Sequence, residues 1–233
     1  MFNGRVEIQE RNEHVNIQAL TSTVGEDGVW SQVLNRVCGP GRRAALFLDR
    51  DGVLVDEVHY LCRPEDARLS IAAVDVIGRA NGLSVPVVII TNQAGIGHGK
   101  YGWDEFAAVQ EKIADDLASG GTFFNAVYAC PHHADGKPPY NTPDHPYRKP
   151  NPGMLLRAAE EMPIDLAQSW IVGDRASDME AGLKAGLAGG LHLLTGHGSD
   201  DSERAGAAAV ATAEFQVLIG ETLIDAIDLA LLS

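Results

Sequence analysis

Four apolar runs in this chain are each followed by a polar cluster. Residues 44–48 lead into Asp49-Arg50-Asp51-Gly52-Val53, and residues 86–90 into Thr91-Asn92-Gln93. Residues 126–129 precede an irregular stretch that ends in Arg148-Lys149-Pro150. Residues 170–172 lead into Gly173-Asp174-Arg175-Ala176-Ser177-Asp178. A continuous apolar run, rich in β-branched residues and without polar alternation, suits a parallel strand covered on both faces. The segments between have helical period. Residues 70–81 read as a helix, and Trp103, Phe106, Val109, Ile113 and Leu117 form one face of a long one. Asn151 reads as an N-cap with Pro152 at the first helical position, opening a helix to about Met162. Strands alternating with helices predict an α/β fold: a Rossmann-like, mostly parallel sheet with helices on both faces. In such sheets ligands sit at the C-terminal ends of the strands, where these clusters fall.

The remaining elements follow the same logic. Ser177-x-x-Glu180 reads as a capping box and Gly186 as a helix stop. Residues 191–194 are a further expected strand, and residues 218–232 an expected closing helix. Residues 1–43 differ from the rest. Val6/Ile8 and Val15/Ile17 alternate like short strands, Trp30, Val33, Leu34 and Val37 sit at helical spacing, and Gly39-Pro40-Gly41 breaks the chain. The expected organisation is an N-terminal arm, 1–43, packed on a domain spanning 44–233.

Composition narrows the class. The 233 residues suit one decorated α/β domain, and 45% hydrophobic content can bury a sizeable core. A net charge of −14 argues against nucleic acid and anionic membranes as partners. The N-terminal segment lacks the apolar stretch of a signal peptide, and no run is long enough to cross a bilayer. The three scattered cysteines fit a reducing compartment, so a cytoplasmic monomer is expected.

Each cluster has a chemical reading beside a plainer one. Asp49 and Asp51, two apart on a strand, can point the same way. Like charges so placed repel unless a cation lies between them, and hard oxygen ligands favour Mg²⁺; alternatively Asp-x-Asp is a turn. Thr91 and the backbone N–H groups beyond it can cradle phosphoryl oxygens, or simply form a turn. Pro150 disfavours helix at Lys149, which places its ammonium in extended chain before a helix N-terminus; otherwise the pair is solvated surface. Asp174 can complete a magnesium shell, or it and Asp178 are turn and cap residues.

Taken in order, Asp-x-Asp-Gly, Thr-Asn, Lys-Pro and Gly-Asp-x-x-x-Asp resemble the four motifs of the haloacid-dehalogenase-like (HAD-like) superfamily. FLDRDGVL, VIITNQAGIGHGKY, CPHH, RKPNPGM and IVGDRASDMEAG are similar to the branch containing D-glycero-D-manno-heptose-1,7-bisphosphate phosphatase and the histidinol-phosphate phosphatase domain. The similarity spans residues 44–198. It implies a Mg²⁺-dependent phosphatase without a large cap domain, acting on a small phosphorylated metabolite such as a sugar bisphosphate. By that resemblance Asp49 is the nucleophile, forming an aspartyl-phosphate, and Asp51 the general acid/base. Mg²⁺ is held by Asp49, the Asp51 backbone carbonyl and Asp174, with Arg175 able to offer only its backbone carbonyl. Thr91 and Lys149 hold the phosphoryl oxygens, and Asp178 orients the metal shell or Lys149. Arg148, Glu57, Tyr60, Asn92 and Gln93 are the candidate substrate contacts; relatives carry Asp where Glu57 stands.

Relatives in this branch bind structural Zn²⁺ through Cys-x-His and then Cys-x-Cys before Arg-Lys-Pro. Here the first pair is Cys130 and His132, and the second reads His145 and Tyr147. Tyrosine is not a usual zinc ligand, so no zinc is expected. Pro131, Pro138, Pro139, Pro143 and Pro146 can stiffen the loop without metal. The competing readings are histidinol phosphate or another small metabolite as substrate, and a catalytically silent binding or assembly module with residues 1–43 as its partner arm.

Overall fold

The structure is a computed structural model that describes residues 23–37 and 39–233. The strand-like alternations at Val6/Ile8 and Val15/Ile17 lie outside the described residues. The strands are β1 (Thr23–Val24), β2 (Trp30–Val33), β3 (Leu46–Leu48), β4 (Val87–Asn92), β5 (Ala126–Cys130), β6 (Trp170–Gly173), β7 (Gly189–Leu193) and β8 (Gln216–Gly220). They form one sheet in the order β1-β2-β5-β4-β3-β6-β7-β8, parallel from β5 to β8, with β1 and β2 added antiparallel at one edge. The expected α/β sheet is therefore observed.

The helices are α1 (Ala73–Gly82), α2 (Ala94–Gly97), α3 (Trp103–Ser119), α4 (Gly153–Glu161), α5 (Ala176–Ala185) and α6 (Asp201–Ala209). Strand side chains alternate between two cores. Leu46, Leu48, Ile89 and Val172 pack against Val76, Phe106 and Ile113 of α1 and α3. Phe47, Val88, Ile90 and Ile171 pack against Met154, Leu155, Met179 and Ala207 of α4, α5 and α6. Both sheet faces are covered, so these strands show no polar face. Between β3 and β4 the chain holds a loop, the short 3₁₀ turn Pro64–Asp66 and α1, without a separate cap domain.

Several local expectations need correction. The helical spacing at Trp30, Val33, Leu34 and Val37 gives no helix: Trp30–Val33 is a strand, and Leu34 and Val37 lie in irregular chain beyond it. Pairing with β5 imposes period two, so Trp30 joins one core and stacks on Trp103 at 5.5 Å, while Val29 and Val33 join the other. The closing helix expected over residues 218–232 is instead β8 followed by 3₁₀ turns at Leu223–Asp228 and Ala230–Leu232. The chain turns after Gly220, where Asp225 accepts the N–H groups of Glu221 and Thr222 at 2.7 and 3.1 Å. Asn151 does not cap α4: Pro152 occupies that position, and the Asn151 amide donates to Asp144 and the His145 carbonyl. The capping box expected from Ser177 and Glu180 is displaced by two residues, with Asp178 Oδ2 accepting Arg175 N–H at 3.0 Å. Helix α1 begins at Ala73 rather than at Ser70. No helix among the described residues is long and apolar enough to cross a membrane.

Candidate active site

The parallel order changes direction at β3, which lies between β4 and β6, and the chain leaves all three strands at the same, C-terminal, end of the sheet. Asp49 follows β3 directly, and its N–H donates to Val172 O of β6 at 2.9 Å. Asp174 follows β6, and Thr91 lies within the end of β4. Register alone therefore gathers residues distant in sequence.

Lys149 ties them together. Its Nζ lies 2.9 Å from Asp49 Oδ1 and 2.6 Å from Asp178 Oδ1, and donates to Ile90 O at 3.1 Å. Burial by itself would lower the ammonium pKa; Asp178 and then Asp49 outweigh it and hold it above the ordinary range. The Lys149 backbone is fixed by Asn92, whose amide donates to Lys149 O at 3.0 Å and whose Oδ1 accepts Lys149 N–H at 3.1 Å.

One carboxylate oxygen from each of Asp49, Asp174 and Asp178 lies within 4.8 Å of the other two. Burial pushes the Asp49 carboxyl above the usual carboxylate range, with Asp178 and Asp51 adding to the rise against the pull of Lys149. Asp174 is raised by burial first, then by Asp49 and Asp178. Its Oδ2 accepts the His197 N–H at 2.7 Å, whereas its Oδ1 is buried without a hydrogen-bond partner. A buried acceptor left unpaired is costly. Asp49 and Asp178 share the single ammonium of Lys149, so the unmet demand for positive charge centres on Asp174, with Asp49 beside it. Hard carboxylate oxygens in this state fit a divalent cation such as Mg²⁺. Two glycines with positive φ flank Asp174 closely. A Cβ at Gly52 (φ +81°) would lie 2.5 Å from Asp174 Oδ2, and one at Gly196 (φ +50°) closer still.

Asp51 lines the pocket wall beside this cluster. Arg50 Nε donates to its Oδ1 and Arg50 Nη2 to its Oδ2, both at 3.0 Å, and Gln93 Nε2 donates to Oδ2 at 2.9 Å. Gln93 also donates to Thr91 Oγ1 at 2.8 Å and accepts from the Tyr101 hydroxyl. Arg50 is fully buried, with Nη1 donating to Gln110 Oε1 at 3.2 Å and its guanidinium 5.2 Å from the Phe106 ring centre.

The cavity above has a volume of about 660 Å³ and is lined by Asp49, Asp51, Glu57, Tyr60, Arg148 and Arg175 among others. Glu57 Oε1 lies 3.7 Å from His197 Nε2. Its carboxyl is raised by burial and then by Asp51. Tyr60 (φ +57°) contacts His98 Nδ1 through its hydroxyl at 3.2 Å. Arg148 donates to His132 O at 2.8 Å. Every candidate catalytic, magnesium and substrate residue from the sequence thus lies in or against this one site.

Cys130, at the end of β5, and His132 and His145 of the following loop are not among the residues lining this cavity. The two imidazoles stack flat at 3.7 Å, and Cys130 Sγ is 3.9 Å from His145 Nδ1. Burial pushes the thiol up to about 11 and lowers His145.

Sequence reasoning overlooked Arg50, Gln110, Tyr101, His98 and His197, weighed His133 only as a metal ligand, and limited Arg175 to its carbonyl although the residue lines the pocket. A buried arginine inside Asp-x-Asp leaves no signal in periodicity. The Gly196-His197-Gly198 run after β7 was the one readable hint, since it repeats the pattern of a polar cluster past an apolar strand.

Comparison with known proteins agrees with this geometry. The HAD-hydrolase-like family matches residues 146–217. D-glycero-beta-D-manno-heptose-1,7-bisphosphate 7-phosphatase of Mesorhizobium japonicum is 44% identical over 165 residues, covering 71% of this chain and 76% of its own. D-glycero-alpha-D-manno-heptose-1,7-bisphosphate 7-phosphatase of Photorhabdus laumondii is 37% identical, covering 65% and 82%. Among solved structures, a HAD-like phosphatase from Mesorhizobium loti superposes with a TM-score of 0.70 at 43% identity, covering 72% of this chain and 81% of that one. D,D-heptose 1,7-bisphosphate phosphatase from B. bronchiseptica, solved with magnesium and phosphate, gives 0.65 at 28% identity, covering 77% and 93%. Given the strand-end carboxylates, the parallel sheet and this level of identity, the chain belongs to the HAD-like phosphatases and is a phosphoric monoester hydrolase.

Proposed function

We propose that this phosphatase removes one phosphoryl group from a small sugar bisphosphate of the D-glycero-D-manno-heptose 1,7-bisphosphate kind, through an aspartyl-phosphate on Asp49. The observation that carries the reading is the buried Asp49–Lys149–Asp178 chain beside the unpartnered Asp174 oxygen, beneath a polar cavity. The names of the relatives support the substrate class. The roles of individual residues rest on geometry and on family resemblance.

A carboxylate oxygen of Asp49 attacks phosphorus, and the P–O bond to the sugar breaks as the Asp49–phosphorus bond forms. Asp51, held by Arg50 and Gln93, gives the leaving sugar oxygen its proton. Asp51 then takes a proton from the water that attacks phosphorus and releases inorganic phosphate and free Asp49. Lys149 and Thr91 hold equatorial oxygens, where charge gathers in the transition state. Asn92 acts through the backbone of Lys149. Mg²⁺ would neutralise the carboxylates and polarise the phosphoryl group; Asp49 and Asp174 would hold it, joined on the family resemblance by the backbone carbonyl of Asp51, with Arg175 able to offer only its own carbonyl. Asp178 anchors Lys149. Arg148, with Arg175 nearby, supplies positive charge for the part of the substrate beyond the reacting phosphate. Glu57 and Tyr60 face its hydroxyls.

The test is phosphate release, with and without Mg²⁺, from both anomers of heptose 1,7-bisphosphate, from histidinol phosphate and from p-nitrophenyl phosphate. The reading expects magnesium-dependent turnover with the highest kcat/KM on a heptose bisphosphate. A higher value on histidinol phosphate would replace the substrate, and no turnover of any ester would favour the silent-module alternative.

A further inference from the structure

Among the described residues before Ala44, the turn of residues 25–28 between β1 and β2 reaches the loop of residues 131–147 that leads into Arg148. His132, which is 5% exposed, donates from Nε2 to the Asp27 carbonyl at 3.0 Å. The Asp27 carboxylate accepts from Val29 N–H at 3.0 Å and forms an ion pair with Arg157 of α4, the two side chains being 26% and 17% exposed. The Arg157 guanidinium in turn lies 4.1 Å from the centre of the Tyr147 ring. Gly28 (φ +73°) lets the turn come this close: a Cβ there would lie 2.8 Å from the Tyr140 ring and 3.3 Å from His132 Nε2.

Both lines of contact lead to Arg148. His132 is pinned from one side by the Asp27 carbonyl and from the other by flat stacking on His145, and its own carbonyl accepts Arg148 Nη1 at 2.8 Å. Tyr147, which Arg157 covers, immediately precedes Arg148 in the chain. Arg148 lines the cavity, where its own burial, and to a lesser degree Arg175, disfavour its charge. A cation in that setting needs fixed partners if it is to keep one direction. The mutual distance in sequence is large, 130 residues between Asp27 and Arg157, so only the folded chain supplies them.

We infer that the turn of residues 25–28 is a built-in clamp, in which Asp27 and Arg157 act as positioning residues that hold Arg148 toward the substrate. This assigns a role to part of the N-terminal segment. It rests on the reading of Arg148 as a substrate contact.

The experiment compares the wild type with Asp27→Asn, Arg157→Met, their double variant and Arg148→Ala, each in the full chain with Mg²⁺. Kinetics are measured on heptose 1,7-bisphosphate and on p-nitrophenyl phosphate, which has no second anionic group. Each clamp variant is expected to raise KM for the bisphosphate about tenfold while kcat and the p-nitrophenyl phosphate kinetics stay within about twofold. The double variant is expected to be little worse than either single one, as coupled partners are. Hydrogen exchange supplies a readout that needs no substrate: residues 131–148 should exchange faster in Asp27→Asn, with β3 and β4 unchanged. If Arg148→Ala raises KM and the clamp variants do not, the clamp is wrong. Equal losses on both substrates, or unchanged exchange of the loop, also overturn it. An Arg148→Ala variant with unchanged KM would instead remove the reading of Arg148, and the exchange result would still decide whether the clamp holds the loop.

Discussion

The strand-end floor of the site and the loop of residues 131–147 are held by different physics. On the floor, Asp49, Thr91 and Asp174 sit at or just past strands whose register is set on both sides, and Lys149 bridges two buried carboxylates. The loop has no such frame. It depends on stacked imidazoles, prolines and contacts to a turn that lies 105 residues away in the chain. Side chains carried by strand ends are positioned by the backbone that builds the core, so their place survives most local changes. Side chains carried by the loop keep their place only while distant partners hold them.

The sharpest test of that contrast is Asp49→Asn. It should lower kcat by about four orders of magnitude or more, the scale seen when a nucleophile is lost. Circular dichroism should stay native, because the register that places residue 49 does not depend on its charge. Near-normal turnover would remove Asp49 as nucleophile.

Lys149→Ala comes next. Loss of a contact to transition-state charge should reduce kcat by about 10²–10³-fold. Asp178 would be left buried without its cation, and breaking such a pair costs about 3–5 kcal/mol, which a urea titration of the metal-free protein would register. If KM alone rises, Lys149 only anchors the ground state.

The floor should also respond to pH and metal as the loop does not. Asp49 and Asp174 have carboxyl pKa values raised by burial, so in the metal-free state the folded chain binds their protons more tightly than the unfolded chain. These groups therefore stabilise the fold at low pH, and that contribution is lost as pH rises above about 4 through their folded values. Bound Mg²⁺ competes with the same protons. At about a hundredfold excess over Kd it should add roughly 2.7 kcal/mol. The rise in melting temperature on adding Mg²⁺ should be larger at pH 8 than at pH 5.5. An equal rise at both, or a larger one at the lower pH, would show that these carboxylates are not the magnesium ligands.

The smallest effect is expected at Cys130. Protein purified without chelator or His-tag should carry far less than one zinc per chain by elemental analysis. Cys130→Ser should leave kcat on p-nitrophenyl phosphate within about twofold, since the thiol is buried away from the reacting atoms. Near-stoichiometric zinc that disappears in Cys130→Ser would mean that the loop is metal-held after all.

Much of the site was readable without coordinates because its residues mark strand ends. An apolar run that stops at Asp-x-Asp or Gly-Asp announces both the strand and the polar position at its end, and the parallel sheet brings such ends together. Helix α3 was legible from its apolar face for a similar reason. The errors fall where a neighbour overrode the local pattern. Trp30 to Val37 has helical spacing, yet β5 offers an open edge and draws Trp30–Val33 into a strand. Residues 218–232 look amphipathic, yet β7 pairs with their first part, and the turn beyond Gly220 stops a helix from forming.

The sequence by itself determined the α/β alternation, the order of the polar clusters and hence the chemistry available at the strand ends. Those are local patterns of period and residue type. The tertiary structure alone decided that Asn92 holds the Lys149 backbone, that Arg50 turns inward to hold Asp51, that His197 reaches Asp174, and that Asp27 meets His132 and Arg157. Each of these depends on where a buried polar group finds its partner. That choice is made by packing across the whole chain, since an unpaired group in the interior is too costly to leave, and apart from Arg50 and Asp51 the partners lie at least 23 residues away in sequence.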